Sequence, residues 1–256
     1  MANALLETRA LNRRFGGLQA VCDASIAVKA GSITALIGPN GAGKSTLFSL
    51  IAGSLRPDSG RVTFDGADIT GFPPHAVAAL GVGRTFQTTR LFGHMTVLEN
   101  VMVGRHIRSR AGFLAGMLNL PSTWREEREI ARGAAAVLDT LQLSVYAHES
   151  AGSLAFGVQR LVELARALAA APRLLLLDEP AAGLNMHETA ALGALIAKIR
   201  SGGVTVLVVE HDMSLVMDVS DEVIVLDQGR VLVTGTPVQI QKNPDVIRIY
   251  LGEDDA

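Results

Sequence analysis

Short apolar runs punctuated by turn residues dominate the first part of the chain. Ile26–Val28, Ile33–Ile37 and Arg61–Phe64, the last followed by Asp65-Gly66, predict a strand-rich N-terminal layer. After a glycine-rich stretch, Leu47, Leu50 and Ile51 fall at helical spacing and predict a helix from about Lys44. From about Met95 to Gln142 the pattern turns helical, with Trp124–Leu143 rich in Ala, Glu and Arg. Leu161, Leu164, Ala165 and Leu168 predict the buried face of another helix. Beyond it, strand-like runs at 174–177, 204–209 and 223–227 alternate with a helical pattern at 190–200. The leucines of 174–177 form the uninterrupted apolar run that a parallel strand buried on both faces requires. Such alternation predicts an α/β fold, a mostly parallel sheet flanked by helices. No internal repeat or low-complexity segment interrupts it, and Glu253–Ala256 reads as a frayed acidic end.

Composition narrows the function classes. With 256 residues the chain can bury a full core, as one large domain or a domain with a lobe. A formal net charge of -2 excludes a generally basic nucleic-acid binder. The lone cysteine, Cys22, rules out an internal disulfide framework and fits a reducing compartment. No charged-then-apolar leader opens the sequence. The longest apolar stretch, Leu161–Leu177, is broken by Glu163, Arg166, Pro172 and Arg173, short of the ~18 apolar residues a spanning helix needs. The expectation is a protein that does not cross a membrane by itself, which leaves contact with one open.

Chemistry enters at Gly38-Pro39-Asn40-Gly41-Ala42-Gly43-Lys44-Ser45-Thr46, which fits the phosphate-binding pattern G-x-x-x-x-G-K-[ST] between a strand and a helix. Glycines let the backbone turn its N–H groups toward phosphate oxygens, and the following helix adds the positive end of its dipole. Lys44 can reach the outer phosphates, and the Ser45 hydroxyl can hold Mg²⁺. Downstream, the four leucines end in Asp178-Glu179. Carboxylates there lie at the crevice end of a parallel strand. Asp178 is then placed for Mg²⁺, and Glu179 for a water attacking a γ-phosphate.

These residues resemble the ATP-binding subunits of ABC transporters, and the resemblance runs along almost the whole chain. Gly38–Thr46 resembles the Walker A loop and Leu174–Glu179 the Walker B strand with its glutamate. Thr85-Phe86-Gln87 resembles the Q-loop and Val209-Glu210-His211-Asp212 the switch-histidine loop. Phe15 stands where the family stacks an aromatic on adenine. The resemblance implies a P-loop NTPase fold with an N-terminal antiparallel β layer and a helical subdomain. Residues 1–87 and 161–256 are expected to form the RecA-like core with its β layer, and 88–160 the subdomain carrying the signature. It implies ATP and Mg²⁺ as ligands. Glu179, His211 and Gln87 are the catalytic candidates, with Ser45, Gln87 and Asp178 on the metal. An imidazole at His211 can hydrogen-bond the γ-phosphate, and a neutral Gln87 can sense Mg²⁺ or water.

Two motifs depart from the family pattern. The signature segment reads Leu154-Ala155-Phe156-Gly157-Val158-Gln159, with alanine for the serine that reaches the opposite subunit's ATP, and valine for glutamine. Gly157 and a helix expected to start near Val158 still supply N–H groups, so the segment reads as a modified phosphate clamp. In the D-loop, Asn185 replaces the aspartate of many relatives, retaining hydrogen bonds without the charge.

Arg84–Gln87 with Arg90-Leu91-Phe92, Met95–Asn100, Asp178–Asn185, Glu210–Met213 and Asn243–Gly252 resemble the branched-chain amino acid importer subunits, a branch that includes urea- and amide-type relatives. The resemblance implies a peripheral protein on the cytoplasmic face of the cell membrane. Its implied partners are membrane-spanning permeases docking near Gln87–Asn100, a second identical or paralogous ATP-binding subunit, and indirectly a solute-binding protein. No nucleic acid is expected. Arg105, His106, Arg108 and Arg110, followed by Phe113, Leu114, Met117, Leu118 and Leu120, read as a helical hairpin, with lipid headgroups or a membrane-spanning partner as alternative contacts. A soluble ABC ATPase acting on ribosomes or nucleic acid, and a small-molecule kinase, remain the rival classes.

Overall fold

The computed structural model describes residues 4–85, 90–106 and 121–251. Two compact units divide the chain, Met1–Arg84 with Arg173–Ala256, and Thr85–Pro172. The first holds two sheets. Strands β1 (Ala4–Phe15), β2 (Leu18–Ala24) and β3 (Ala27–Lys29) lead to β4 (Ile33–Ile37) and helix α1 (Lys44–Ile51). Then come β5 (Ser59–Phe64), β6 (Ala67–Asp68), α2 (Pro74–Ala79) and β7 (Val82–Arg84). An antiparallel sheet in the order β2-β1-β5-β6, with β3 on β1, forms the N-terminal layer.

In the second unit lie α3 (Val97–Arg105), α4 (Pro121–Thr140) and α5 (Phe156–Ala169). Back in the first, β8 (Leu174–Asp178), α6 (Met186–Ser201), β9 (Thr205–Val209) and α7 (Met213–Val219) follow in turn. They precede β10 (Glu222–Asp227), β11 (Arg230–Gly235), α8 (Pro237–Gln241) and α9 (Pro244–Leu251). Six strands form the main sheet in the order β11-β10-β4-β9-β8-β7. All its pairs are parallel except β10 with β11. Every residue of β4, β8 and β9 is buried, as near-continuous apolar strands must be.

One core joins the layers of this unit: Leu6, Leu11, Val28 and Phe64 from the antiparallel sheet meet Leu36, Leu176, Leu207 and Ile224 from the main sheet. Leu47, Phe48 and Ile51 of α1 belong to the same core. The parallel register sets the functional edge. Leu36 pairs with Val209, and Val209 in turn lies opposite Asp178. The chain therefore leaves β4, β8 and β9 side by side, at their carboxyl ends.

In the second unit, Val101, Leu138, Val162, Ala165 and Ala169 are among the buried residues of the three helices. Asn100 is wholly buried and satisfied: it accepts from the Phe92 amide at 2.9 Å and donates to the Phe92 and Thr96 carbonyls at 3.1 and 2.9 Å. It thereby pins the 92–96 turn to α3. Thr96 and Glu99 close that helix's N-terminus as a reciprocal capping box.

Several expectations shift. α5 begins at Phe156 rather than near Val158, and the expected boundary at 160/161 falls inside this helix, which stays with the second unit through Pro172. Leu161 and Leu168 are only half-buried; Val162, Glu163 and Ala169 take the covered face with Leu164 and Ala165. Glu163 tolerates that position because Arg160 and Arg166 lie 3.6 and 3.8 Å from its carboxylate. Gln87, Arg108, Arg110 and 113–120 lie outside the described residues.

Candidate functional site

The phosphate loop leaves β4 through Gly38, whose φ is 150°. A Cβ there would sit 2.0 Å from the Leu226 carbonyl oxygen of the neighbouring strand. Gly43 caps α1 with φ 96°, and a Cβ on it would lie 2.2 Å from the Ala20 carbonyl oxygen. Both glycines are thus dictated by close backbone approach as well as by left-handed geometry. Between them Pro39, Asn40, Gly41 and Ala42 make the turn, with Asn40 and Gly41 exposed and Ala42 buried. Lys44 folds back over it, its Nζ donating to the Gly38 and Pro39 carbonyls at 2.7 and 2.9 Å. Burial holds its ammonium below the ordinary lysine value, and the Glu179 carboxylate opposes that shift. Ser45 is exposed and Thr46 half-buried at the start of α1, where free N–H groups and the dipole favour an anion.

Tyr250 of α9 adds a contact that sequence reading did not anticipate. Partial burial holds its hydroxyl pKa above the ordinary tyrosine value, and the nearby Gly38 amide opposes that shift. A motif-based reading misses it because the two residues stand at opposite ends of the chain.

Asp178 ends β8 with a side chain only 6% exposed, and Arg84 of β7 lies 3.2 Å from it. The same guanidinium donates to Ser54 Oγ at 3.2 Å and sits 5.7 Å from the centre of the Phe48 ring. Arg84 was visible in the sequence only as the residue preceding Thr85-Phe86-Gln87. Glu179 follows with φ 48°, the left-handed region, a strain of about 1–3 kcal/mol for a non-glycine residue. Its amide donates to the Val209 carbonyl at 2.9 Å, and its carboxylate meets His211 Nε2 at 2.7 Å. Hence Glu179 and His211, in the turns that follow two neighbouring strands, are brought together, with Lys44 electrostatically coupled to Glu179.

Beneath this pair is Glu210, 3% exposed. Its carboxylate accepts from the amides of Ala181 at 2.7 Å, His211 at 3.0 Å and Asp212 at 3.4 Å. Burial raises its pKa against the pull of those three amides and of His211. Its sequence signal is a carboxylate directly after the apolar run that ends at Val209, inside the histidine motif. Asp212 caps α7, accepting from the Ser214 and Leu215 amides at 2.9 and 3.2 Å.

Asn185 caps α6: its Oδ1 accepts from the Glu188 amide at 3.0 Å, and its own amide donates to Glu188 at 2.9 Å. The side chain is therefore committed to the helix end. Phe15 closes β1 with 44% of its surface exposed, and the Arg13 guanidinium lies 4.9 Å from its ring centre. In the second unit Ala155 is the N-cap of α5 and offers no side-chain hydrogen bond. Gly157 and Val158 fall in this uncapped first turn. Gln159 is turned back to the Leu154 carbonyl at 2.9 Å, and half-exposed Phe156 is covered by Arg160, 5.4 Å from its ring centre.

The chemistry available is that of a polyphosphate site. A lysine and a helix N-terminus attract anionic oxygens, and a carboxylate–imidazole pair can order a water. Ser45 and Asp178 present only oxygen donors, which suits a hard divalent cation completed by phosphate and water. Among the described residues no cluster of three His, Cys, Asp or Glu side chains could hold a metal alone.

This fold and phosphate loop define an ATP-binding cassette. A solved nucleotide-free cassette from an ABC transporter superposes with a TM-score of 0.86 at 33% identity, covering 98% of this chain and 100% of its own. Another, in the ADP conformation, gives 0.86 at 34% identity with the same coverage. The sequence profile of the ABC transporter family matches residues 21–182, and that of the branched-chain amino acid ATP-binding cassette transporters matches 230–256. BraF of Pseudomonas aeruginosa, a high-affinity branched-chain amino acid transport ATP-binding protein, is 49% identical, covering 99% of this chain and all of BraF. LivG of Escherichia coli is 45% identical with the same coverage.

The chain belongs to the branched-chain amino acid transport ATP-binding subunits of the ABC transporter family. It is accordingly a nucleotide-binding ATPase of a membrane transport system, one that works with permease subunits. Among its described residues, no helix is long and apolar enough to cross a membrane.

Proposed function

We propose that this ATPase drives uptake of branched-chain or closely related amino acids by closing around Mg²⁺-ATP with a second ATP-binding subunit and reopening after hydrolysis. The contact that carries the hydrolytic reading is Glu179 against His211 at 2.7 Å, at the sheet edge shared with Lys44. The cargo follows from what BraF and LivG are named for. Residues 38–46 cradle the phosphates, and Phe15 stacks on the adenine. Ser45 and Asp178, with Gln87, hold Mg²⁺, which supplies positive charge against the phosphate oxygens. Glu179 accepts a proton from the attacking water, and His211 donates to the γ-phosphate while orienting Glu179.

Leu154–Gln159 completes the opposite subunit's ATP site through the amides at the start of α5. Asn185 carries the D-loop between the two sites as a neutral cap. Once the γ-phosphate is lost, the contact bridging the subunits weakens and the dimer opens. The protein works peripherally on the cytoplasmic face of the cell membrane, bound to permeases that receive solute from a binding protein.

The test is phosphate release and nucleotide binding by the purified full chain and Glu179→Gln. Turnover should fall about 100- to 10,000-fold with ATP affinity kept within severalfold. Near-normal turnover removes Glu179 from the role of base. Uptake of labelled leucine, isoleucine and valine in cells lacking the chain tests the cargo: restoration by the wild type but not by Glu179→Gln is expected. Uptake that never depended on the chain overturns the cargo while leaving the ATPase intact.

A further inference from the structure

We propose that Glu210 is a positioning residue, whose buried carboxylate ties the turn after β8 to the turn after β9 and so keeps Glu179 within hydrogen-bond reach of His211. The backbone ladder between these strands ends with the Glu179 amide on the Val209 carbonyl at 2.9 Å. Past that point the strands diverge into turns, and Glu210 spans them. One carboxylate oxygen accepts from Ala181 at 2.7 Å in the turn that carries Glu179. The other accepts from His211 at 3.0 Å and Asp212 at 3.4 Å in the turn that carries the imidazole.

All three partners are donors, so an acceptor-only group is required, and an ionised carboxylate is one. A glutamine amide keeps one oxygen but turns an NH₂ toward a backbone N–H, so one turn is released. Aspartate keeps the charge and loses a methylene of reach. Glu179 sits in a left-handed conformation that persists only when its surroundings impose it. At 3% exposure Glu210 cannot touch substrate itself, and it acts through its neighbours.

The inference rests on Glu179 and His211 being the hydrolytic pair, and the experiment separates the two claims. ATP turnover and thermal unfolding are measured on the full chain for wild type, Glu210→Gln, His211→Ala, the double variant and Glu179→Gln. Single-turnover conditions are used where steady-state rates are low. Glu210→Gln should lower kcat at least about tenfold while KM for ATP stays within about threefold. In the His211→Ala background the same change should cost less than about threefold in kcat, while its effect on unfolding temperature is equal in both backgrounds. A merely structural role predicts equal kcat losses in both, and that result overturns the proposal. So does a folded Glu210→Gln protein with kcat within about twofold of wild type. If Glu210→Gln does not fold, Glu210→Asp takes its place with the same criteria. Near-normal turnover of Glu179→Gln sinks the hydrolytic reading itself; slow Glu179→Gln beside unaffected Glu210→Gln sinks only the role of Glu210.

Discussion

Replacing Arg84 by methionine removes the cation beside Asp178 while keeping an apolar stem next to the Phe48 ring. The pair is 3.2 Å apart with side chains 16% and 6% exposed, so both charges are largely out of water. At an effective dielectric near 20, charges at that separation attract by roughly 5 kcal/mol, much of it offset by the cost of desolvating both. Deleting one partner leaves the other buried, which costs about 3–5 kcal/mol. At about 2–4 °C per kcal/mol for a domain of this size, unfolding should begin roughly 6–20 °C lower.

The loss should be conditional. With Asp178 as a ligand of Mg²⁺, the ion restores positive charge to the same carboxylate, so the gap to wild type should narrow in Mg²⁺-ATP. Scanning calorimetry of both proteins, nucleotide-free and in saturating Mg²⁺-ATP, reads both quantities. An unchanged unfolding temperature without nucleotide would refute the electrostatic reasoning. A gap that persists undiminished in Mg²⁺-ATP would remove Asp178 from the metal.

Two further outcomes are expected. Asn185→Ala should lower stability by about 1 kcal/mol through loss of the α6 cap, read by urea unfolding, and Asn185→Asp should recover most of it; no loss in the alanine variant would mean the cap is redundant. Glu210 has a folded-state pKa raised above 4.5, so the native state holds its proton more tightly than the unfolded chain does. Its contribution is therefore full below the ordinary value and lost as pH rises through the raised one. The stability of wild type relative to Glu210→Gln should fall across that window, and a difference that rises with pH would contradict the burial argument.

Local chemistry was legible wherever one segment carries the whole message. Ile33–Ile37 forms a strand with the bounds its apolar run predicts, because a strand buried on both faces must be apolar throughout. Gly38 and Gly43 announced a phosphate loop, since only glycine fits where the backbone passes so close to Leu226 and Ala20. The long first strand, Ala4–Phe15, is hidden in the sequence: polar Thr8 is buried among its apolar residues, and its bulged register breaks the alternation. Leu161 and Leu168 lost the covered face to Val162 and Glu163, because two arginines of the same helix make a buried carboxylate tolerable.

The candidate site divides the same way. Glu179 and His211 could be named from their strand ends, but their meeting at 2.7 Å depends on β8 lying beside β9 in one particular register. Glu210 reaching Ala181 and Arg84 reaching Asp178 depend on the fold alone, as does the nearness of Tyr250 to Gly38. Periodicity and motif spacing encode what a segment is, since backbone geometry and burial act within it. Which distant side chains share a hydrogen bond is decided only when the sheet order brings their strand ends together.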